Sequence, residues 1–445
     1  MPRAARSFDR RREGGIQGGH GADHQLALTR RSALTQTVVI GAGIIGVTIA
    51  YELQRRGISV TLVDRDEPGR GASFGNMASI AVTEFMPASR PAVWRQMPKW
   101  LLDPEGPVRV RPSYMPKLIP WFARFLAASR PSKLRELEAQ GATLCARVYD
   151  DLLPLLRDTG LSDMLTDEGC LALYADDGEL AADRDHIEIL ERFAFPHRHL
   201  SREELKALEP DISDRIARAV LFPQNRSIRD PYKLVLGIFE KFLELGGELI
   251  KGDVAAFERS GHRLTGVRLA DGRTIVADRL ILAAGAFSAR LSSTIGEPIP
   301  LETERGYHTQ IMSPGVGLRH SIIWPAKAFM VTPTAGGLRV GGTVEMAGLD
   351  APPDYRRAKI TVKRAREALP GLKVEDTSEW MGRRPAFPDT IPLIGPSEKV
   401  SNLLYATGHG HLGLTYAATT ARIIGDLAVG ALPPLDIKPY RVGRF

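Results

Sequence analysis

The sequence predicts an α/β fold in which one domain is interrupted by a second, α+β domain with a mostly antiparallel sheet. A strand, a glycine-rich turn, a helix and a second strand follow one another within residues 38–64. Strand and helix patterns of the same domain return at 248–285 and 403–430. The intervening 299–347 alternates apolar and polar residues, with glycines near its turns, as antiparallel strands do. The first domain is therefore predicted to be discontinuous.

The βαβ unit at 38–64 carries a nucleotide-binding turn. Its first strand enters a G-x-G-x-x-G sequence formed by Gly41, Gly43 and Gly46. These glycines allow a tight turn, close approach to a pyrophosphate and close packing of helix on strand. The second strand ends on Asp64, which is placed to accept hydrogen bonds from a ribose. We expect a Rossmann-type dinucleotide site, the alternative being a tight turn that binds nothing.

Size and composition are those of a globular protein with more than one domain. A chain of 445 residues exceeds one ordinary core, and 43% apolar with 25% charged residues is typical of globular proteins. No apolar run reaches the roughly 18 residues that span a bilayer. Cys145 and Cys170 form no C-x-x-C pair and no metal-ligand spacing, so we expect buried thiols in a reducing compartment.

The basic balance of the chain is concentrated in its first 36 residues. They carry seven arginines and three acidic residues, which is +4 of the total formal charge of +7. We expect residues 1–36 to be a disordered basic tail, or an artefact of an early start codon. Arg30 and Arg31 precede no apolar segment, which disfavours an export signal. Because the remainder is nearly neutral, the total charge is no argument for nucleic-acid binding, and we expect no nucleic-acid partner. We expect a cytoplasmic protein.

The elements between these segments follow from local signals. Asp230 and Pro231 predict a helix start, and Gly246-Gly247 predicts its end. Residues 86–122 hold eight prolines, so we expect no regular helix there. Further helices are predicted at 133–158, 178–193, 354–369 and 413–430, and strands at 169–174, 248–258, 263–269 and 274–285.

Five motifs in order along the chain resemble one family. They are the glycine turn with Asp64; the loop 71–78, similar to S-x-x-N-x-G; the strand end 282–286; Trp380-Met381-Gly382-Arg383-Arg384-Pro385 followed by Asp389 and 392–395; and the glycine-rich loop 407–415. Over about 37–445 the chain is similar to the D-amino-acid oxidase/dehydrogenase family of flavoproteins. Its bacterial D-amino-acid dehydrogenase branch resembles the chain most.

The resemblance implies non-covalent FAD, because no cysteine lies in a flavin-facing motif. It implies a glutathione-reductase-like FAD-binding domain over 37–90, 227–296 and 377–445, and a substrate domain over 91–226 and 297–376. The implied cofactor residues are Gly41, Gly43, Ile44, Ile45, Gly46, Asp64, Arg65, Ser73, Asn76, Met77, Ala78, Val254, Ala284, Gly285, Gly410, Leu412, Gly413, Leu414 and Thr415.

The resemblance also implies the substrate residues. Arg384, the arginine of the R-P pair, is expected to hold a substrate carboxylate, since a guanidinium pairs with it in a bidentate manner. An ordinary salt bridge is the alternative, and we favour that role for Arg383. Tyr307 is expected to donate to the same carboxylate, or to be a half-buried aromatic residue. His411 contacts substrate or packs in its loop, whereas His409 orders that loop.

Two positions depart from the family pattern. Ala78 stands where the dehydrogenases often have glycine. Leu412 stands where sarcosine-type oxidases resemble one another in having a lysine that favours reaction with oxygen. The missing lysine weakens the prediction of an oxidase of that type.

The implied reaction is oxidative deamination of a D-amino acid, or of a D-proline-like amine, by hydride transfer from Cα to flavin N5. The imine product hydrolyses to a 2-oxo acid, and a quinone-type acceptor takes the electrons. A glycine/sarcosine-type oxidase that uses oxygen and a non-catalytic FAD-holding subunit are the alternatives. Residues 94–126, rich in Trp and Phe, are either a peripheral contact with the inner face of the membrane or a cover between domains. The oligomeric state stays open.

Overall fold

The computed structural model describes residues 36–445, apart from the side chains of Ala92, Trp94 and Arg95. The prediction for the basic tail falls on 1–35, outside the described residues. The described α-helices are α1 Ile44–Arg55, α2 Pro91–Leu102, α3 Met115–Ala128, α4 Pro131–Ala146, α5 Val148–Thr159, α6 Asp177–Ala182, α7 Arg184–Arg192, α8 Arg202–Leu208, α9 Pro231–Glu244, α10 Ser288–Thr294, α11 Arg356–Ala368 and α12 Gly413–Ala428.

The described strands follow in chain order. They are β1 Thr37–Ile40, β2 Val60–Asp64, β3 Ser79–Ile80, β4 Val108–Val110, β5 Cys170–Tyr174, β6 Arg198–Leu200, β7 Arg218–Phe222, β8 Arg226–Ser227, β9 Glu248–Lys251, β10 Val254–Ser260, β11 Arg263–Leu269, β12 Thr274–Val276, β13 Arg279–Leu282, β14 Glu302–Ile311, β15 Ser321–Trp324, β16 Phe329–Thr334, β17 Gly337–Met346, β18 Thr377–Ala386, β19 Leu393–Pro396 and β20 Leu403–Thr407.

A six-stranded sheet combines distant segments of the chain in the order β19-β20-β13-β1-β2-β9. Its pairs are parallel except β19 with β20. Because side chains alternate along a strand, Val39 packs with the helical layer of α1, α9 and α12. Val38 and Ile40 pack on the other face, against the small antiparallel sheet β10-β11-β12. The predicted α/β class and the discontinuous Rossmann-type sheet are confirmed.

The second large sheet has nine strands. Eight follow the order β18-β14-β17-β16-β15-β5-β7-β6, and β4 pairs with β17. Only β15 with β5 and β17 with β4 are parallel, so the predicted mostly antiparallel sheet is confirmed. Strand β18, Thr377–Ala386, pairs along its length with β14 in this sheet. The boundary predicted at 377 therefore falls at the start of a strand of the antiparallel sheet, and the domain boundaries stay predictions.

The expectation of no regular helix in 86–122 is wrong, because α2 lies in it and α3 begins there. Pro91 and Pro116 stand in the first turns of these helices, where no hydrogen-bond donor is needed. Pro98 and Pro120 lie inside them, each at the cost of one backbone hydrogen bond. In α3 the apolar spacing outweighs this loss, since Leu118, Trp121 and Phe125 are buried on one face.

Candidate active site

One cavity of about 740 Å³ is lined by residues of both large sheets. Its wall includes Val63 at the end of β2 and Gly285 just after β13. On the antiparallel sheet it includes Glu304 and His308 of β14 and Arg384 of β18. The carboxyl end of the parallel sheet, where nucleotides bind in such folds, thus opens onto one face of the antiparallel sheet.

The glycine turn leaves no room for side chains. Gly41 has a φ of +105°, and a Cβ on it would lie 2.4 Å from the Ala283 carbonyl oxygen. A Cβ on Gly46 would lie 1.8 Å from the Gly41 carbonyl oxygen, so helix α1 packs directly on the turn. Gly43 caps α1 and lines the cavity. This cradle fits a dinucleotide pyrophosphate at a helix N-terminus.

Asp64 and Arg65 stand at the end of β2. The Asp64 carboxylate accepts hydrogen bonds from the Ala42 and Asp66 backbone amides, at 2.6 and 2.9 Å, and it lines the cavity. Burial raises its pKa above the ordinary value despite these bonds. The Arg65 guanidinium lies 3.8 Å from the centroid of the Phe287 ring. A carboxylate oxygen accepts more than one hydrogen bond, so Asp64 keeps capacity for a ribose.

The loop 71–78 is held against the start of α1. Ser73 Oγ accepts from the Ile44 amide at 2.8 Å, and Asn76 Oδ1 accepts from the Ala78 amide at 2.8 Å. Ala78 has a φ of +57°. At this position, where the dehydrogenases often have glycine, an alanine therefore adopts a left-handed conformation that favours glycine.

Fifteen of the nineteen predicted cofactor residues line the cavity, among them Ile45, Met77, Val254, Ala284 and Gly410. The structure places four outside the lining. Gly46 and Ala78 support the backbone, as described above. Leu412 is a buried residue that precedes α12, and Thr415 Oγ1 accepts from the Ala81 amide at 3.0 Å. These four residues support the residues that line the cavity, and their assignment as cofactor contacts stays a prediction.

The Arg384 guanidinium lines the cavity without a hydrogen bond or ion pair to any described residue. Its side chain folds over Gly306 of the neighbouring strand, where an added Cβ would come within 2.4 Å of the guanidinium carbon. Burial lowers the pKa of the guanidinium, and the Glu304 carboxylate partly offsets this. A half-buried guanidinium that lines a cavity without an anion partner favours binding of a carboxylate.

Trp380 and His308 lie on the same face of the sheet as Arg384. They are opposite one another in the β14–β18 register, and their rings stack with centroids 5.2 Å apart. His308 Nδ1 lies 2.7 Å from the Gly75 carbonyl oxygen, so it carries the proton and donates. Burial and the Arg339 charge lower the pKa of His308 to about 3. A neutral imidazole with an acceptor Nε2 therefore lines the cavity.

Tyr307 alternates to the other face of β14. Its hydroxyl donates to Glu345 Oε2 at 2.5 Å and accepts from the Asp354 amide at 3.0 Å. Burial is the largest cause that raises the pKa of Tyr307, to about 12. Although the residue borders the cavity, its hydroxyl is engaged in this network, so the expected bond to a substrate carboxylate has no free donor. Arg383 lies on that face too and donates to the Leu349 carbonyl at 2.8 Å.

The two loop histidines have different surroundings. His409 Nε2 lies 3.0 Å from Thr420 Oγ1 of α12, and burial lowers its pKa to about 3. It holds its own loop, as expected. His411 Nε2 lies 3.3 Å from the Glu84 carbonyl oxygen, and the residue lines the cavity. Burial lowers the pKa of His411, and the Arg384 charge acts in the same direction.

The sequence reasoning missed His308, Glu304 and Glu84 as cavity residues. The first two could have been found by strand alternation, because Glu304 and His308 share a face with Gly306. That glycine predicts a close approach on the same face. Glu84 follows β3 in an irregular segment, where no period applies.

The nucleotide cradle in this cavity fits an enzyme that uses a dinucleotide cofactor, and a guanidinium without an anion partner lies in the same cavity. Comparison with known proteins agrees with this class. The family model of the FAD-dependent oxidoreductases named DAO matches residues 36–427. The chain therefore belongs to the DAO family, and FAD is its cofactor.

Individual relatives match along nearly their whole length. A D-amino-acid oxidase of Bradyrhizobium diazoefficiens is 33% identical, over 92% of this chain and 98% of the relative. A D-amino acid dehydrogenase of Rhizobium johnstonii is 28% identical, over 92% of this chain and 100% of its own. The crystal structure of glycine oxidase from Geobacillus kaustophilus has a TM-score of 0.71 at 18% identity, over 92% of this chain and 99% of that one. This last likeness concerns the fold.

Proposed function

We propose that this enzyme oxidises the α-amine of a D-amino acid, or of a D-proline-like secondary amine, to an imine. The Cα–H hydrogen leaves as hydride with its bonding pair, the nitrogen lone pair forms C=N, and the nitrogen loses one proton. Water then hydrolyses the imine to a 2-oxo acid and ammonia, whereas the imine of a cyclic secondary amine opens to a 2-oxo acid that keeps its amine. FAD, when bound, supplies the two-electron acceptor.

The observation that carries this proposal is the unpaired Arg384 guanidinium on the cavity face of β18. It holds the substrate carboxylate through two parallel N–H···O bonds, which fix the orientation of Cα. His308 keeps its proton on Nδ1 toward Gly75, so its Nε2 accepts an N–H of the substrate amine. Both groups lie on one face of a sheet, so their spacing is held by strand pairing.

Replacement of the guanidinium tests the proposal. Each hydrogen bond to a charged group is worth about 1.5–3 kcal/mol, so Arg384→Lys and Arg384→Ala should lower kcat/KM for D-amino acids at least about 100-fold. FAD content, read from flavin absorbance per protein, should not change. Oxidation of a simple amine without a carboxylate should be unaffected in the same variants.

Arg383→Lys is the matched control, because that side chain borders the cavity too but already has a partner, the Leu349 carbonyl oxygen. It should keep D-amino-acid turnover within about threefold, well below the tenfold that 1.4 kcal/mol represents. Wild-type kinetics in both Arg384 variants would exclude the carboxylate-binding role and the proposed reaction with it.

The proposed electron acceptor is a quinone. Leu412 at the start of α12 places an apolar side chain, rather than a lysine ammonium, at the position that the resemblance links to reaction with oxygen. Curated relatives are named both as oxidases and as dehydrogenases, which keeps the glycine/sarcosine-type oxidase as second candidate. Turnover with a quinone or dye and no stoichiometric hydrogen peroxide supports the first. Peroxide equal to substrate consumed supports the second.

Peripheral contact with a membrane is the proposed route to a quinone. Among the described residues, no helix is both long and apolar enough to cross a bilayer. Helix α3 exposes Met115, Ile119 and Leu126 at helical spacing, and Leu102 at the end of α2 is 84% exposed. Flotation with anionic liposomes should be lost in the double variant Ile119→Ser, Leu126→Ser. Equal flotation of both proteins, or none, contradicts the contact.

A further inference from the structure

Two carboxylates line the cavity near Arg384 without a hydrogen bond or ion pair to any described residue. Glu304 is the register partner of Arg384 in the β14–β18 ladder, on the same face of the sheet. Glu84 lines the cavity from the segment after β3, and its backbone carbonyl oxygen lies 3.3 Å from His411 Nε2. Both carboxylates act on His411, whose pKa they raise against the stronger effect of burial. Glu84, Glu304 and Arg384 therefore all lie close enough to His411 to influence its charge, and we call these four residues one electrostatic neighbourhood.

The charges of this neighbourhood do not balance when a neutral amino acid is bound. Arg384 pairs with the substrate carboxylate, and the reacting amine must be uncharged for its lone pair to form C=N. The buried histidines do not compensate, since burial lowers the pKa of both His308 and His409 to about 3. The half-buried Glu304 and Glu84 carboxylates then line the cavity without an ion pair to any described residue. Such an arrangement favours a ligand that brings positive charge.

We propose that Glu304, together with Glu84, binds a cationic group on the substrate side chain, so that the preferred substrates are basic amino acids of the lysine and arginine class. This inference rests on the proposed function for the role of Arg384. The order of preference is basic side chains first, neutral ones next and acidic ones last. Glu304 is a specificity-determining residue, because it contacts the side chain and not the reacting atoms.

The alternative is that Glu304 has a purely structural role. In that interpretation its carboxylate only holds the neighbouring Arg384 guanidinium in place, as their mutual electrostatic effect permits. Loss of the carboxylate would then lower kcat/KM for all amino acids by a similar factor. A matched substrate pair separates the two, since D-norleucine has a side chain like that of D-lysine without the ammonium.

The turnover experiment compares D-lysine with D-norleucine on the holoenzyme. Wild type should prefer D-lysine, and Glu304→Gln should lower that preference at least tenfold through kcat/KM for D-lysine alone. Glu302→Gln removes the same charge two residues away, where the carboxylate accepts from Tyr114 outside the cavity lining. It should leave the preference unchanged. An unchanged preference in Glu304→Gln, or an equal loss for both substrates, overturns the inference.

A binding experiment separates this inference from the proposed reaction. 6-Aminohexanoate keeps the carboxylate and terminal ammonium of lysine but has no α-amine to oxidise, and hexanoate lacks both amines. Calorimetry should show tighter binding of 6-aminohexanoate to wild type, and the difference should vanish in Glu304→Gln. This result with no D-amino-acid oxidation would keep the cationic subsite and reject the reaction. Equal binding of both acids to an enzyme that oxidises D-norleucine would reject only the subsite.

Discussion

At the scale of single residues, two glycines shape the substrate face of the antiparallel sheet. Gly306 of β14 leaves the space into which the Arg384 guanidinium folds, and a Cβ on Gly382 of β18 would lie 2.1 Å from the Trp380 ring. The two glycines are opposite one another in the strand register. Large side chains therefore lie flat on a sheet surface that would otherwise push them into the cavity.

Gly306→Ala should displace the Arg384 guanidinium while leaving the FAD cradle intact. The new Cβ would come within 2.4 Å of the flexible end of that side chain, which must move. Loss of one hydrogen bond to a charged group, about 1.5–3 kcal/mol, predicts a 10- to 100-fold lower kcat/KM for D-amino acids. Gly336→Ala, whose nearest contact is 3.7 Å away, is the control. Unchanged kinetics in Gly306→Ala would show that Arg384 does not act from this position.

The sequence predicted most of the residues that line the nucleotide end of the cavity, but it predicted the substrate end only in part. Gly41 and Asp64 follow a motif in which each spacing has one structural meaning. Tyr307 and His308 are neighbours in sequence with opposite faces, and the face was unknown until the pairing of β14 with β18 was known. Contacts such as His308 with Gly75 join residues 233 positions apart, which no local pattern specifies.

At the scale of elements, the N-cap signal predicted a helix correctly, whereas internal prolines wrongly predicted that helices are absent. The N-cap at Asp230 is confirmed, since its Oδ1 accepts from the Tyr232 and Lys233 amides at 3.0 and 3.1 Å. The proline-containing helices α2 and α3 were missed; in α3, burial of apolar residues compensates for the missing backbone hydrogen bond. Intrinsic helix propensity therefore determines whether a helix forms only where tertiary packing does not.

A histidine of helix α7, His186, contacts the backbone next to the cavity residue Glu84. His186 Nδ1 lies 3.3 Å from Asp183 Oδ2, and Nε2 lies 3.3 Å from the carbonyl oxygen of Thr83, beside Glu84. Burial lowers the pKa of His186, but the Asp183 hydrogen bond and the Glu84 charge outweigh it. The net pKa is raised above the usual 6.5. Both acceptors suit the protonated ring, which has two donors.

Stability from His186 should therefore depend on pH in one direction. A raised folded-state pKa adds stability that is fully present below the unfolded pKa and is lost as pH rises through the folded value. The Tm difference between wild type and His186→Gln should be largest near pH 6 and shrink by pH 9. His262→Gln, at an exposed turn, should show little difference at any pH. A difference that grows with pH would contradict the charged pair.

At the scale of the whole molecule, the cavity joins segments that are far apart in the chain. Its lining combines the glycine turn near 41–45, the strand start at Val254, the segment 283–287 and the loop 409–414. A ligand that contacts all of them binds only the folded state. FAD should consequently stabilise the molecule as one unit, by an amount that follows mass action.

FAD should be removable, and its return should raise Tm. Cys145 and Cys170 are both buried, neither lines the cavity, and burial raises the pKa of each thiol to about 12, so no described cysteine offers a thiolate to the flavin. Acid denaturation should release all the flavin to the supernatant.

Above its Kd, each tenfold rise in FAD should add about 1.4 kcal/mol to the free energy of unfolding. Asp64→Ala should raise the Kd, since Asp64 is predicted to bind the adenosine ribose, so a given FAD concentration should add less stability to this variant than to wild type. Flavin that stays with the denatured protein would show a covalent bond, and a Tm independent of added FAD would contradict the joining of these segments by the cofactor.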